Sequence, residues 1–498
     1  MGKSAATKAM ITRDPSDRPH QEWHPHPYQS SSVYFLHSNT TMSQTGKGGS
    51  ALLLDCGMGK TAIVLEWIKQ MREFRLINRV LVVAPMRPMY NVWPYEICGW
   101  TNFRAMSYSI LHGTPSVRKK RLASMADIHL INREALPWLF NQVQRAIKKK
   151  LPLPWEAIII DESTSFKNWS ASRTQALRKL IPHIPYRVIM TGTPTPKNLA
   201  DMFPQMWLLD EGESLGDNVT AFREEYCYSV GDRDQNKHEI YEHKKAQFFQ
   251  KVQHLCLRLD QKDHLSVPPV TTHFVDVTLP DDALKQYQDM EEELFVTLES
   301  GDRHTAVNAA AKYSMCRQVS NGGIYHLDQE GKRRVSHIHT AKVDACLEII
   351  EELQGKPVLI AYQFEHDAER LARAIKGLNV IRGGMTPAQH TALIDGWNEG
   401  SLKCPHMAVQ PKALSFGVNL QHGPGRDIIW FGPTDCLDDY LQFNARIWRQ
   451  GVASAVRIHK LRCFDTLDEL MWEKLDAKEN VQSSLLEFLR EYAKSKGR

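Results

Sequence analysis

The chain has 498 residues, 42% of them hydrophobic and 24% charged, which allows more than one buried core and excludes a disordered or fibrous protein. The formal net charge is only +5, so an anionic partner is permitted but a strongly basic nucleic-acid coat protein is not indicated. The nine cysteines form no CxxC pair, which argues against a zinc ribbon or a disulfide framework and favours a reducing compartment. No apolar run approaches the roughly 18 residues of a membrane span, and residues 1–22 lack a secretory signal. We expect a cytoplasmic protein with a loose N-terminal tail over those residues.

Between about residues 50 and 200, short apolar runs alternate with segments whose apolar residues recur at helical spacing. Such alternation is typical of a parallel sheet covered by helices. The predicted strands are Ala51–Asp55, Val80–Ala84, Ile128–Ile131, Ala157–Asp161 and Arg187–Met190. Helices between them include Ala62–Phe74 and Ser172–Leu180. These elements predict a first α/β lobe over residues 23–200.

The following residues predict an insertion and then a second lobe. Residues 201–268 are rich in aromatic and charged residues without strand alternation, which predicts a helical insertion. Residues 269–339 form a connection with one strand, Thr272–Thr278, and a helical stretch. The second α/β series, over residues 340–498, has predicted strands at Val358–Tyr362, Asn379–Arg382, Met407–Gln410, Asp427–Phe431 and Val456–Leu461, and an amphipathic C-terminal helix. The predicted fold class is α/β, with two parallel-sheet lobes in tandem and a helical insertion between them.

A glycine-rich turn follows the first predicted strand and precedes a helix. Its residues are Gly57, Met58, Gly59, Lys60 and Thr61. Glycines let backbone N–H groups approach a phosphate, lysine reaches the outer phosphates, and threonine ligates Mg²⁺. The full GxxxxGK[ST] spacing fails because Leu54 occupies the first glycine position. A tight structural turn or a nucleotide kinase therefore stays open for this motif alone.

A pair of carboxylates ends the fourth predicted strand. In the same kind of sheet as a phosphate loop, Asp161 can hold Mg²⁺ while Glu162 polarises the attacking water. Far along the chain, Arg446 and Arg449 are three residues apart, and we place them on one face of a helix. Phosphoryl transfer needs such positive charge, although an arginine pair of this kind is more often a surface salt-bridging face. A nucleotide kinase does not explain the second α/β series or the motif that contains Gln442, Arg446 and Arg449.

Taken together, these motifs resemble superfamily 2 helicase-like ATPases and, within them, the Swi/Snf-like group of double-stranded DNA translocases, as a compact prokaryotic or phage-type member. The resemblance extends from about Pro27 to Gly451. It rests on Tyr28-Gln29, Cys56–Thr61, Val82–Pro85 with Trp93 and Glu96, Ile131–Glu134, Asp161–Thr164 with Phe166-Lys167-Asn168, Thr191–Pro194 with Asn198-Leu199, Leu257–Leu259 with Lys262-Asp263, Val358–Ile360 with Gln363-Phe364, Leu414–Gln421 and Gln442–Gly451. It implies two RecA-like lobes that use ATP and Mg²⁺.

The resemblance also implies roles for individual residues. Gln29 would contact the adenine base, Lys60 the phosphates together with the rest of the loop, and Thr61 and Asp161 the Mg²⁺. Arg446 and Arg449, supplied by the second lobe, would act on the γ-phosphate with help from Gln442. The residues expected to grip nucleic acid, mostly through phosphates, are Pro85, Arg87, Arg133, Lys167, Thr193, Gln363, Arg382 and Ser415. For Arg87 and Lys167, an ordinary surface charge is an equally good interpretation.

The chain departs from the family pattern at several positions. Ser163 and Thr164 replace the usual Ala-His, Ala445 replaces a glycine, and Trp448 replaces a histidine. Every charged catalytic position is present. The expected activity is that of a monomeric, DNA-stimulated ATPase that translocates on duplex DNA, with possible helicase or branch-migration activity. An RNA helicase and an ATP-gated DNA clamp without processive movement remain as alternatives.

Overall fold

The computed structural model describes residues 21–41, 48–55, 57–192, 199–230, 237–264, 270–300, 305–414, 419–449, 452, 454–477 and 495. The chain divides into two compact units, Met1–Ser266 and Val267–Arg498. Among the residues described, no helix combines the length and apolarity needed to cross a membrane.

A parallel sheet forms the centre of the first unit. Its strands are β1 Gly48–Leu54, β2 Val80–Ala84, β3 Tyr108–Ile110, β4 Ile128–Asn132, β5 Ala157–Asp161 and β6 Tyr186–Thr191, joined later in the chain by β9 Cys256–Leu259. The strand order is β3-β4-β2-β5-β6-β1-β9. Strands β1, β2 and β4 are buried along their whole length, as expected for parallel strands covered on both faces. The carboxyl ends of β1 and β5 therefore open on the same edge of the sheet.

Helices of the first unit connect these strands and continue beyond them. They are α1 Pro27–Thr41, α2 Lys60–Glu73, α3 Met86–Asn91, α4 Trp93–Gly99, α5 Pro115–Leu122, α6 Leu136–Lys148, α7 Ser172–Leu180, α8 Phe203–Asp210, α9 Val219–Tyr226, α10 Glu242–Val252 and α11 Gln261–His264. The predicted helical insertion also contains strands that the sequence did not indicate. An antiparallel pair is formed by β7 Cys227–Val230 and β8 Lys237–Ile240, and β9 pairs in parallel with β1.

The second unit has its own parallel sheet. Its strands are β10 Val270–Val277, β13 Val358–Ala361, β14 Asn379–Ile381, β15 Met407–Val409, β16 Asp427–Trp430 and β17 Val456–Cys463, in the order β10-β17-β16-β13-β15-β14. A separate antiparallel ribbon is formed by β11 Gly323–Leu327 and β12 Arg333–His337. The helices are α12 Asp281–Ser300, α13 Thr305–Asn321, α14 Ala341–Glu352, α15 Glu365–Ala374, α16 Pro387–Glu399, α17 Leu437–Asn444 and α18 Leu467–Asp476. The strand predicted near residue 272 thus belongs to the second sheet, where β10 pairs with β17 over eight residue pairs.

A buried polar network fastens the elements of the second unit together. Lys342 and Asp468 form an ion pair of 2.6 Å between side chains that are 0% and 2% exposed. Lys342 also donates to Asn321 Oδ1 at 2.7 Å, and Asn321 Nδ2 donates to Asp367 Oδ2 at 2.9 Å. Buried charges are tolerated only when they are paired and hydrogen-bonded. The network therefore fixes the end of α13 against α15 and α18.

Candidate nucleotide site

The two glycines of the glycine-rich turn adopt left-handed backbone conformations. Gly57 and Gly59 have φ angles of 89° and 74°, in the left-handed region that glycine enters without steric cost. Gly59 is the residue before α2, so the turn leads directly to a helix N-terminus. A Cβ atom on Gly59 would lie 2.5 Å from Gln29 Nε2. Glycine at this position therefore suits the turn and leaves room for the Gln29 side chain.

Helix α1 holds this turn from the other side. Gln29 Nε2 donates to the Met58 carbonyl at 3.2 Å, and the Tyr28 hydroxyl donates to the same carbonyl at 3.0 Å. The Gln29 Oε1 atom accepts a hydrogen bond from the His26 backbone at 2.9 Å. Burial raises the pKa of Tyr28 to about 12, against a smaller lowering by Gln29, so its hydroxyl keeps its proton. The structure places Gln29 against the phosphate loop, and contact with an adenine base stays a prediction.

Lys60 and Asp161 both lie at the carboxyl edge of the first sheet. Lys60 Nζ donates to the backbone oxygens of Leu54 at 2.9 Å and Asp55 at 3.1 Å. Trp93 Nε1 donates to Asp161 Oδ2 at 3.1 Å. Burial raises the pKa of the Asp161 carboxyl, while the Trp93 hydrogen bond and the positive charge of Lys60 lower it in part. The predicted phosphate lysine and the predicted metal carboxylate thus interact electrostatically.

These residues fit a magnesium ion. Asp161 ends β5, and Thr61 lies in the first turn of α2. Carboxylate and hydroxyl oxygens are ligands that Mg²⁺ accepts beside phosphate oxygens and water. A buried carboxylate whose pKa is raised by desolvation is stabilised in its charged form by a nearby divalent cation.

Glu162 follows Asp161 in an uncommon backbone conformation. Its φ and ψ angles are 53° and 58°, and the chain then forms a short 3₁₀ helix, Ser163–Phe166. The backbone oxygen of Glu162 accepts hydrogen bonds from the backbone N–H of Ser165 at 3.1 Å and its hydroxyl at 2.5 Å. Ser163, one of the departures from the family pattern, is buried and donates to Gln205 Oε1 at 2.7 Å. This contact could not be predicted from local sequence patterns, because its partners are 42 residues apart.

The second unit carries the predicted arginines, but not on a helix face. Helix α17 contains Gln442 and ends at Asn444, so Arg446 and Arg449 lie in the turn that follows. The helical prediction for these two arginines was wrong. The physical reason is that the backbone N–H groups of Arg446 and Ile447 donate to carbonyls three residues earlier, at 3.0 and 3.2 Å, instead of four.

The candidate nucleic-acid contacts of the first unit lie at strand and helix ends. Pro85 precedes α3. Arg133 follows β4 and pairs with Glu134 at 2.8 Å, and Lys167 pairs with Asp201 at 3.6 Å. Exposed ion pairs of this kind contribute little to stability, so both cations can exchange a carboxylate for a phosphate at small cost.

In the second unit, Gln363 follows β13, and its backbone N–H donates to Asp367 Oδ2 at 3.3 Å. Arg382 follows β14 and lies 3.7 Å from Glu365. Thr193, Ser415 and the side chain of Arg87 lie outside the parts of the chain that the structure describes.

Three helices of the first unit form a basic helical surface that the motifs did not indicate. Helices α5, α6 and α7 contain no aspartate or glutamate. They contact one another where Arg118 stacks on Trp138 at 4.7 Å and Lys179 on Phe140 at 5.3 Å. The exposed cations of this basic helical surface lie on the three helices or directly after α6. They are Lys119, Lys120, Arg145, Lys148, Lys149, Lys150 and Lys179. The small net charge of the chain therefore conceals a local concentration of positive charge.

The chain is similar to one protein-family model and to several known proteins. A profile of the SNF2-related domain matches residues 28–322. The phage protein p41, from Acyrthosiphon pisum secondary endosymbiont phage 1, is 33% identical over 450 residues, which cover 87% of this chain and 93% of that protein. The DNA excision repair protein ERCC-6-like of Mus musculus is 27% identical over 207 residues, or 41% of this chain and 16% of that protein. The Hef helicase domain of Pyrococcus furiosus aligns with 90% of this chain and 98% of that domain, at 12% identity and a TM-score of 0.53. This last likeness concerns the fold alone and confirms the predicted α/β class with two parallel-sheet lobes.

Proposed function

Because the chain belongs to the SNF2-related family of ATPase motor domains, we propose that it hydrolyses ATP in order to translocate on double-stranded DNA. The observation that carries the proposal is the joint position of Lys60 and Asp161 at the carboxyl edge of the first sheet. There the positive charge of Lys60 acts on the carboxyl group of Asp161. Phosphate binding and metal binding are thereby combined in one site, which is the arrangement that phosphoryl transfer needs.

Each residue of the site has a chemical task under this proposal. Lys60 binds the outer phosphates, and Thr61 and Asp161 hold Mg²⁺. When bound, Mg²⁺ neutralises charge on the phosphate oxygens. Glu162 orients the attacking water and accepts its proton. Arg446 and Arg449 stabilise the charge that develops on the transferred phosphoryl group.

Double-stranded DNA is the proposed track because the family motifs that precede and follow the nucleotide site are those of duplex translocases. The mouse relative is named as a DNA excision repair protein, which supports DNA over RNA. The basic helical surface supports a polyanionic partner without adding sequence preference. Contacts of this kind predict binding that weakens steeply with salt.

The ATPase activity is tested first. The purified chain is assayed with no nucleic acid, duplex DNA, single-stranded DNA and RNA, and we expect the largest stimulation from duplex DNA. Lys60→Ala and Glu162→Gln should each abolish the stimulated rate. Lys69→Ala is the matched control, because Lys69 lies on the same helix and pairs there with Glu66 and Glu73. Full stimulated hydrolysis by either site variant would refute the proposal.

Translocation is tested separately by ATP-dependent displacement of a third strand from triplex DNA. Displacement that needs Glu162, Arg446 and Arg449 supports the motor. Stimulation greatest with RNA would favour an RNA helicase instead. ATP-dependent binding to DNA without displacement would favour a clamp.

A further inference from the structure

One buried hydrogen bond links the turn after β5, directly behind Asp161 and Glu162, to helix α8 of the same unit. Ser163 Oγ donates to Gln205 Oε1 at 2.7 Å, and the two side chains are 0% and 3% exposed. Gln205 Nε2 donates to the backbone oxygen of Asp201 at 3.1 Å. Both ends of the Gln205 amide are therefore used, which fixes its orientation.

Helix α8, which carries Gln205, is rigidly held. Its residues Phe203, Met206 and Leu209 are buried in the core of the first unit. The ring of Trp169 packs on Phe203 with a centroid distance of 5.3 Å. A side chain on such an element is a firm anchor for a functional residue.

Glu162 needs an anchor of this kind. Its left-handed backbone conformation is sparsely populated by residues other than glycine, and it persists only where the surrounding structure determines it. The hydrogen bonds from Ser165 fix the Glu162 carbonyl. The hydrogen bond to Gln205 fixes Ser163, the residue that follows Glu162. Together they determine the direction in which the Glu162 side chain leaves the sheet.

We propose that Gln205 is a positioning residue for Glu162 and that it acts through Ser163. This inference rests on the proposed function, in which Glu162 orients the attacking water. Without the bond, the turn is free to relax out of its left-handed conformation and to move the carboxylate. A displacement of about 1 Å in a reacting group costs on the order of 100-fold in rate.

The test compares Gln205→Met, Ser163→Ala and the double variant by the kcat and KM of ATP hydrolysis and by thermal unfolding. We expect each single variant to lower kcat by about tenfold or more. The KM for ATP should stay within about twofold, because the loop at Lys60 is untouched. Each single variant also leaves a buried polar group without its partner and lowers the unfolding midpoint.

The double variant separates positioning from simple packing. It replaces both polar groups by apolar ones, so the unfolding midpoint should recover, while kcat should remain low. Recovery of kcat together with the midpoint would show a structural bond only and would overturn the proposal. Trp155→Phe is the matched control, since it removes another buried bond of this unit, from Trp155 Nε1 to His129 Nδ1 at 2.9 Å. It should lower the midpoint and leave kcat unchanged.

The wild-type protein and Glu162→Gln are measured alongside. A wild-type protein without ATPase activity would overturn both the proposed function and the role of Gln205. An active wild type, an inactive Glu162→Gln and a wild-type kcat in Gln205→Met would overturn the role of Gln205 alone.

Discussion

Trp93→Phe should weaken Mg²⁺ binding without removing any predicted ligand. The Trp93 indole is fully buried and donates to Asp161 Oδ2 at 3.1 Å. A hydrogen bond to a charged group contributes about 1.5–3 kcal/mol, and each 1.4 kcal/mol is about tenfold in affinity. We therefore expect the Mg²⁺ concentration that gives half-maximal ATPase activity to rise roughly 10- to 150-fold. Loss of an outer partner of a metal ligand typically costs about 10- to 100-fold.

The same variant should change the pH profile in a defined direction. Burial raises the pKa of Asp161, and Trp93 favours the ionised form. Removing this donor raises that pKa further, and since the metal needs the ionised carboxylate, the acid limb of activity should move to higher pH at low Mg²⁺. Saturating Mg²⁺ should restore most of the rate. Trp100→Phe is the control, because Trp100 donates to Glu96 at 2.5 Å instead. An equal Mg²⁺ requirement in the two variants would refute the role of Trp93.

Three further predictions concern stability. Asp468→Asn leaves the buried Lys342 without its charged partner at 2.6 Å. The free energy of unfolding of the second unit should therefore fall by about 3–5 kcal/mol. A change below about 1 kcal/mol in a urea titration would contradict this. Burial lowers the pKa of His129 to about 4, below its unfolded value of about 6.5, so stability present above pH 6.5 is lost as pH falls toward 4. His129→Gln should remove up to about 3 kcal/mol of the pH dependence of the free energy of unfolding. An unchanged slope of that free energy against pH would contradict the prediction. Gly49→Ala places a Cβ atom 2.5 Å from the Leu209 carbonyl oxygen and should lower the free energy of unfolding by about 1–3 kcal/mol. The measurement is the thermal unfolding midpoint, which Ser50→Ala, the control, should not lower.

Most of the parallel strands could be predicted from the sequence because burial on both faces makes them continuous apolar runs, whereas β3, with three half-buried residues, was not predicted. The predictions for β2 and β5 have the bounds found in the structure. Strand β9, whose sequence is CLRL and which is only partly buried, lies at the edge of its sheet and resembles its helical surroundings in composition. Its membership of the first sheet depends on pairing with β1, about 200 residues earlier, and no local pattern contains that information.

The candidate nucleotide site was also predictable only where its residues are close together in the sequence. Glycine, lysine and carboxylate residues of the nucleotide site are recognisable because their chemistry constrains spacing over a few residues. Trp93 and Gln205 act on Asp161 and Ser163 across 68 and 42 residues, and the identity of a buried tryptophan or glutamine does not reveal its partner. The turn at Arg446 was missed as well, because the residue types there do not reveal that the backbone N–H groups of Arg446 and Ile447 donate to carbonyls three residues earlier instead of four.

The hydrogen bonds of the phosphate loop indicate how little must change when ATP binds. Tyr28 and Gln29 donate to the Met58 carbonyl, so hydrogen bonds from α1 hold the backbone of this part of the loop in place. Lys60 donates to two carbonyls of its own loop, and a phosphate oxygen offers that ammonium a stronger, charge-assisted acceptor. We therefore expect ATP binding to move the Lys60 side chain and to leave the Met58 carbonyl in place. Since ordering costs are subtracted from affinity, loss of the Tyr28 and Gln29 bonds should weaken ATP binding even though neither residue is a predicted phosphate ligand.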